Sequence, residues 1–129
     1  MNDQFLFHDH TISSYSVDFF SNKITIYTLN NNKEAVLYIS DVLTHYFDCI
    51  LDTKSNIILD VDIKNIEYFI RENMDKIEEL KNMCWPIYYN DINELKNFLE
   101  NNNYKYIRIL SSYGMYGWIL AKNINIVRI

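Results

Sequence analysis

His8-Asp9-His10 is the densest grouping of side chains able to bind a metal or move a proton in this 129-residue chain. Alternate residues of an extended strand point the same way, so His8 and His10 would share one side. A metal site needs a third ligand, which His45, Asp60 or Asp62 would have to supply. A small metal-dependent or ligand-binding enzyme using His8, His10 and Asp60 is therefore one reading. The competing one has these side chains hydrogen-bonding to backbone where the first strand begins, which asks for no third ligand. Asp60 and Asp62 also lie two apart, and a carboxylate pair can do acid–base work. No nucleophile accompanies them: Ser111-Ser112 has no GxSxG setting, and neither GxGxxG nor GxxxxGK occurs. The pair reads as a strand end and a helix cap. No catalytic residue, metal site or cofactor is expected, and the chain is read as a binding protein and not an enzyme.

The segment Ser111-Ser112-Tyr113-Gly114-Met115-Tyr116-Gly117-Trp118 holds both glycines of the chain. In a sequence that otherwise avoids Gly, this placement points to a backbone that needs positive φ or a close approach. A hairpin turn between two late strands would satisfy it. The same turn can present Tyr113, Met115, Tyr116 and Trp118 as large, adaptable contact residues, the candidate anchors for a protein partner.

Charge narrows the partner class. Seventeen acids against twelve bases leave a net charge of −5. Nonspecific binding to nucleic acid needs a basic face, and Lys64, Lys76, Lys81 and Lys96 are interleaved with Glu67, Glu72, Glu78, Glu79 and Glu94. No nucleic-acid partner is expected. An acidic surface instead favours encounter with a neutral or basic protein. No stretch has the 18 or so apolar residues of a membrane-spanning helix, so no membrane partner is expected either. Met1–Gln4 has no positive n-region and Phe5-Leu6-Phe7 is too short for a signal peptide. Cys49 and Cys84 form no CxxC pair and read as buried, reduced thiols, which fits a cytoplasmic location.

The elements that must position these residues follow from two periods. With 49% hydrophobic and 22% charged residues, the composition is that of a packed domain. Tyr15, Val17 and Phe19 alternate with Ser14, Ser16 and Asp18, predicting a half-buried strand that turns at Ser21-Asn22. Ile24–Leu29, Ala35–Ile39, Leu43–Ile50 and Ile57–Val61 continue the pattern, with polar turns at Asn30–Asn32 and Thr53–Asn56. Short connections imply an antiparallel meander of roughly five strands. The period then lengthens: Ile66, Phe69, Ile70, Met74, Ile77, Leu80 and Cys84 form one helical stripe, opposite Glu67, Arg71, Glu72, Lys76 and Lys81. Asp62 or Asn65 would cap this helix and Trp85-Pro86 would end it. Asp91 and Glu94 make a capping box for a second helix, with Ile92, Leu95, Phe98 and Leu99 inward. Two or three strands close the chain, from Tyr104, Gly117 and Ile124 onward. Residues 1–129 thus read as one α+β domain: a twisted antiparallel sheet with two helices on one face. The other face must be solvated, closed on itself or covered by a partner, a second copy of the chain being one candidate. Asn, Ile, Lys, Tyr and Phe rise together in AT-rich coding sequence, which accounts for the Asn runs without a special role.

Phe7-His8-Asp9-His10-Thr11-Ile12, the hairpins after it, Asp41-Val42, Asn56-Ile57-Ile58-Leu59-Asp60-Val61 and Ser112-Tyr113-Gly114-x-x-Gly117 together carry a resemblance that spans nearly the whole chain. The sequence resembles small bacterial immunity proteins, and related uncharacterised families, that accompany polymorphic toxin systems. That resemblance implies a protein that binds and neutralises a cognate toxin domain without chemistry of its own. It transfers no functional residues, because such proteins vary most where they touch their toxins.

Overall fold

The computed structural model describes residues 4–30, 32–48, 57–81, 88–113 and 116–128. The strands are β1 (Gln4–Asp18), β2 (Lys23–Asn30), β3 (Lys33–Asp48), β4 (Ile57–Lys64), β5 (Lys105–Tyr113) and β6 (Tyr116–Arg128). Three helices, α1 (Ile66–Glu72), α2 (Met74–Leu80) and α3 (Ile92–Asn101), lie between β4 and β5 in sequence. The mixed α+β class and the antiparallel pairing are as the alternation predicts.

The sheet closes into a barrel in the order β1-β2-β3-β6-β5-β4, with β4 returning to pair with β1. Period-two apolar residues fill the closed interior. Ile24 and Ile26, Ala35, Leu37 and Ile39, Ile107 and Ile109, and Ile119 and Ala121 all point inward and bury one another. The face that needed a cover thus covers itself, and closure leaves none of the six strands as an edge for another chain to pair with.

Several details differ from expectation. His8 and His10 lie inside β1 and not ahead of it. The expected third and fourth strands are one strand, β3, bent where Asp41 takes φ 53° and the register slips between Val42 and Thr44. The last two expected strands are likewise a single β6. The meander stops after β3, because β4 pairs with β1 and β5; the turn read at Thr53–Asn56 falls outside the described residues.

The first helix is broken. Asn65 Oδ1 accepts from the Tyr68 amide at 2.8 Å and caps α1, so Asn65 and not Asp62 is the cap. At Asn73 the backbone leaves the helical region, at φ −118° and ψ 21°, while its amide and side chain both donate to the Phe69 carbonyl at 3.0 Å, and the chain restarts as α2. Ile66, Phe69 and Ile77 are buried as the stripe predicts, whereas Met74, just after the break, is 41% exposed. Glu67 and Arg71 face water; Lys81 is half-buried and donates to the Asn90 carbonyl. The Leu80 side chain, Cys84 and Trp85-Pro86 fall outside the described residues. Asp91 Oδ1 caps α3 through the Glu94 amide at 3.0 Å, and Glu94 reaches back to the Asn90 amide. Leu95 and Leu99 are buried, and Phe98 instead stacks on Tyr104 at the surface. The helices pack on the outside of the barrel, forming a second core with Tyr106, Trp118 and Leu120. Among the described residues no helix is long and apolar enough to cross a membrane.

Candidate functional site

Strand alternation sends Ile107 and Ile109 into the barrel, so Tyr106 and Arg108 must point out beneath α1. The register then sets Asp62 of β4 opposite Arg108, Arg108 opposite Trp118 of β6, and Trp118 opposite Tyr46 of β3. Four strands thereby place an acid, a base and two aromatic rings in one row on the outer face.

Arg108 binds Asp62 through two parallel bonds, Nε to Oδ1 at 2.8 Å and Nη2 to Oδ2 at 2.6 Å. This bidentate geometry is the strong form of the pair. Its Nη1 donates to Glu72 Oε2 and to the Tyr68 hydroxyl, both at 3.3 Å. The Tyr106 hydroxyl donates to Glu72 Oε1 at 2.9 Å and accepts from Asn73 Nδ2 at 3.1 Å. Burial pushes the Tyr106 phenol far above its ordinary range, so it stays protonated and serves as a donor. The bond to Asp62 holds Arg108 firmly charged.

Beside this network opens a cavity of about 460 Å³, lined by Tyr46, Glu72, Lys76, Tyr106, Tyr116 and Trp118 among others. Tyr46 and Trp118 are stacked with centroids 6.2 Å apart, and Phe69 backs Trp118 edge-on at 5.0 Å. Lys76 Nζ lies 4.7 Å from the centre of the Tyr46 ring. At the mouth the Tyr116 hydroxyl donates to Asp48 Oδ2 at 2.8 Å, which raises its pKa.

The candidate anchors separate on this frame. Tyr116 is 51% exposed, at the cavity mouth, while Trp118 is 6% exposed and forms the inner wall instead of a surface anchor. The Tyr113 side chain, Met115 and Gly114 fall outside the described residues. Gly117 shows the close approach that its placement suggested: a Cβ there would stand 2.0 Å from the Tyr46 carbonyl oxygen.

The metal candidates have other partners. His10 Nδ1 is 3.1 Å from Thr28 Oγ1, and burial lowers the pKa of the ring. Asp60 is buried, with Oδ1 accepting from the Val61 amide, and His45 packs on Phe47 with centroids 5.0 Å apart. Neither Asp60 nor Asp62 is the solvated strand end or helix cap expected of the pair; both are buried, 8% and 7% exposed, and Asp62 is held by Arg108. The side chains of His8 and Asp9 fall outside the described residues. Among the described residues no three His, Cys, Asp or Glu side chains gather as a metal would require.

A second feature escaped the sequence reading. Alternation assigns Phe19 to the buried face, yet Phe19 is 81% and Phe20 fully exposed. Asp18 ends β1 by accepting from the amides of Phe20 and Ser21 at 3.0 and 3.2 Å, a local turn that lifts residues 19–22 out of the strand. Asn22, at φ 56°, completes the reversal, and its carbonyl accepts from the Val42 amide at 2.9 Å, which docks the turn against β3. A cleft of about 210 Å³ lies beside it, lined by Val17, Phe19, Asn22, Val42 and His45 among others. Asp18 two and three residues ahead of the amides it accepts was the available signal.

Comparison with protein-family models, curated proteins and solved structures finds no match for this chain.

Proposed function

We propose that this chain is a non-enzymatic protein-binding module, and that it acts as an immunity-like protein, occupying a bacterial toxin domain in the cytoplasm. The observation that carries the reading is the Phe19-Phe20 tip: two adjacent rings held in water by a turn that is itself hydrogen-bonded to the barrel. Rigid, protruding aromatics are the residues in which binding energy concentrates. Burying one such side chain contributes about 1.5–3 kcal/mol, and the fixed turn limits the entropy lost on docking. The cleft beside Phe19 offers a partner side chain a seat next to the protruding rings. The acidic balance of −5 suits a basic toxin surface and would speed the encounter. Because the barrel has closed, the partner must be recognised by side chains and not by strand addition.

Co-expression tests this. The protein encoded by the adjacent gene is produced alone and with this chain, growth is followed, and the complex is measured by calorimetry. Growth should be rescued and a one-to-one complex should form. Phe19→Ser with Phe20→Ser should weaken that complex about 100-fold or more while the melting temperature is retained. Tyr116→Ala tests whether the cavity mouth belongs to the same surface. A toxic neighbour that this chain neither binds nor silences would refute the toxin assignment. A complex indifferent to both phenylalanines would refute the docking surface.

A further inference from the structure

We propose that the cavity between the α1–α2 break and the barrel is a small-molecule site for a planar aromatic anion. Its volume of about 460 Å³ lies within the range of small-ligand sites. Its lining is aromatic: Tyr46, Tyr106, Tyr116 and Trp118 all border it, Tyr116 being 51% exposed and Tyr46 partly exposed, while Tyr106 and Trp118 form its buried floor.

The sign of the guest follows from which charges already have partners. Asp62 is held by the Arg108 fork, and Glu72 accepts from Tyr106 on one oxygen and from Arg108 on the other. Asp48 accepts from Tyr116. Arg108 is in turn occupied by Asp62, Glu72 and Tyr68, so its donors are largely used, and each of these acids already accepts at least one hydrogen bond. Lys76 differs. Its ammonium stands over the Tyr46 ring at the cavity wall and makes no hydrogen bond among the described residues. Its ionic neighbour, Glu79, is 3.8 Å away and 67% exposed, a pairing that water largely screens. Among the described residues, Lys76 is thus the cavity cation with donors to offer beside stacked rings, the pattern that orients a carboxylate or similar anion on an aromatic body. This site lies apart from the Phe19-Phe20 tip and does not depend on what docks there.

The test uses 2-naphthoate and its neutral counterpart 2-naphthylmethanol, at physiological salt, with calorimetry for affinity and amide chemical shifts for location. Naphthoate should bind once, shift the signals of Tyr46, Lys76 and Trp118, and bind at least about tenfold tighter than the alcohol. Lys76→Gln should bring the two affinities to within about twofold while leaving the fold and alcohol binding intact, and Lys76→Arg should keep the preference. No binding of either compound would overturn the proposal. So would equal affinities in the unaltered protein, shifts centred on the Phe19-Phe20 tip, or a preference that survives Lys76→Gln.

Discussion

Replacing Arg108 by Met, with its acids left in place, should destabilise the fold by about 3 kcal/mol. The magnitude follows from the surroundings. Asp62 is 10% and Arg108 15% exposed at the side chain, so the change strands a nearly buried carboxylate that accepted two charge-assisted bonds. Breaking one partner of a buried pair costs about 3–5 kcal/mol. The lower end applies because Glu72, the second acid, is 40% exposed and can turn to water. Tyr106 keeps its bonds to Glu72 and Asn73 and limits the spread of the damage. Urea unfolding followed by circular dichroism measures the loss, which corresponds to roughly 10–15 °C in melting temperature for a domain of this size. The companion variant, Asp62→Leu with Arg108→Met, removes both charges together and should recover about 2 kcal/mol of the loss, since an apolar pair of similar volume can stand in for a buried ion pair. A single variant within about 1 kcal/mol of the unaltered protein would refute the claim that the pair is desolvated. A double variant less stable than the single would refute the claim that stranded charge is the cause.

Three further outcomes are expected. Phe69→Ala should cost about 3–5 kcal/mol in a denaturant titration, because the ring is fully buried between Tyr106 and Trp118; a loss below about 1 kcal/mol would remove the helix stripe from the core. Gly117→Ala should cost about 1–3 kcal/mol or more and shift the amide signals of Tyr46 and Phe47, since the new methyl group meets the Tyr46 carbonyl; an unchanged melting temperature would refute the close approach. Burial lowers the His45 pKa, so below the unfolded value of around 6.5 the unfolded chain takes up protons that the folded one does not. Stability is then fully present above that pH and falls as the pH drops towards the folded pKa. His45→Gln should flatten the melting-temperature slope between pH 7.5 and 5.5, with His10 maintaining part of it in the same direction; an unchanged slope would refute the burial effect.

Short-range patterns were legible in the chain and long-range pairings were not. Alternation located the strands, and the spacing of Ile66, Phe69 and Ile77 located the buried face of the helices, because both depend on neighbours a few residues apart. The break lies in the backbone of a single residue, Asn73 at φ −118° and ψ 21°, which periodicity does not register. Barrel closure and the row from Asp62 through Arg108 and Trp118 to Tyr46 depend on which strands meet and in what register. No local pattern encodes that choice. The candidate site was half visible: the glycine placement marked the turn and two of the cavity residues, Tyr116 and Trp118, but Lys76, Glu72 and Arg108 read as an ordinary charged face and strand. The asparagine turns at Asn22 and Asn32 were legible, and it is only the attribution of the Asn runs to composition that falls short. A compositional account explains how many there are and not where they sit. Asn22, Asn32 and Asn103 all take positive φ, at 56°, 66° and 62°, where turns usually call on glycine.

The position of β6 also governs when this molecule can come into being. β6 joins β3 to β5, and β1 joins β2 to β4, so the ring of strands is incomplete until residues 116–128 are available. The first hairpin can form once residue 30 has been made, yet the strand that completes the ring follows some 98 residues later, about 5–20 s at ordinary rates of synthesis. During that interval the nascent chain is an open sheet with pairing edges on both sides. Closure of the barrel therefore waits on the synthesis of β6, and a chain interrupted before Tyr116 would carry exposed edges where the closed barrel has none.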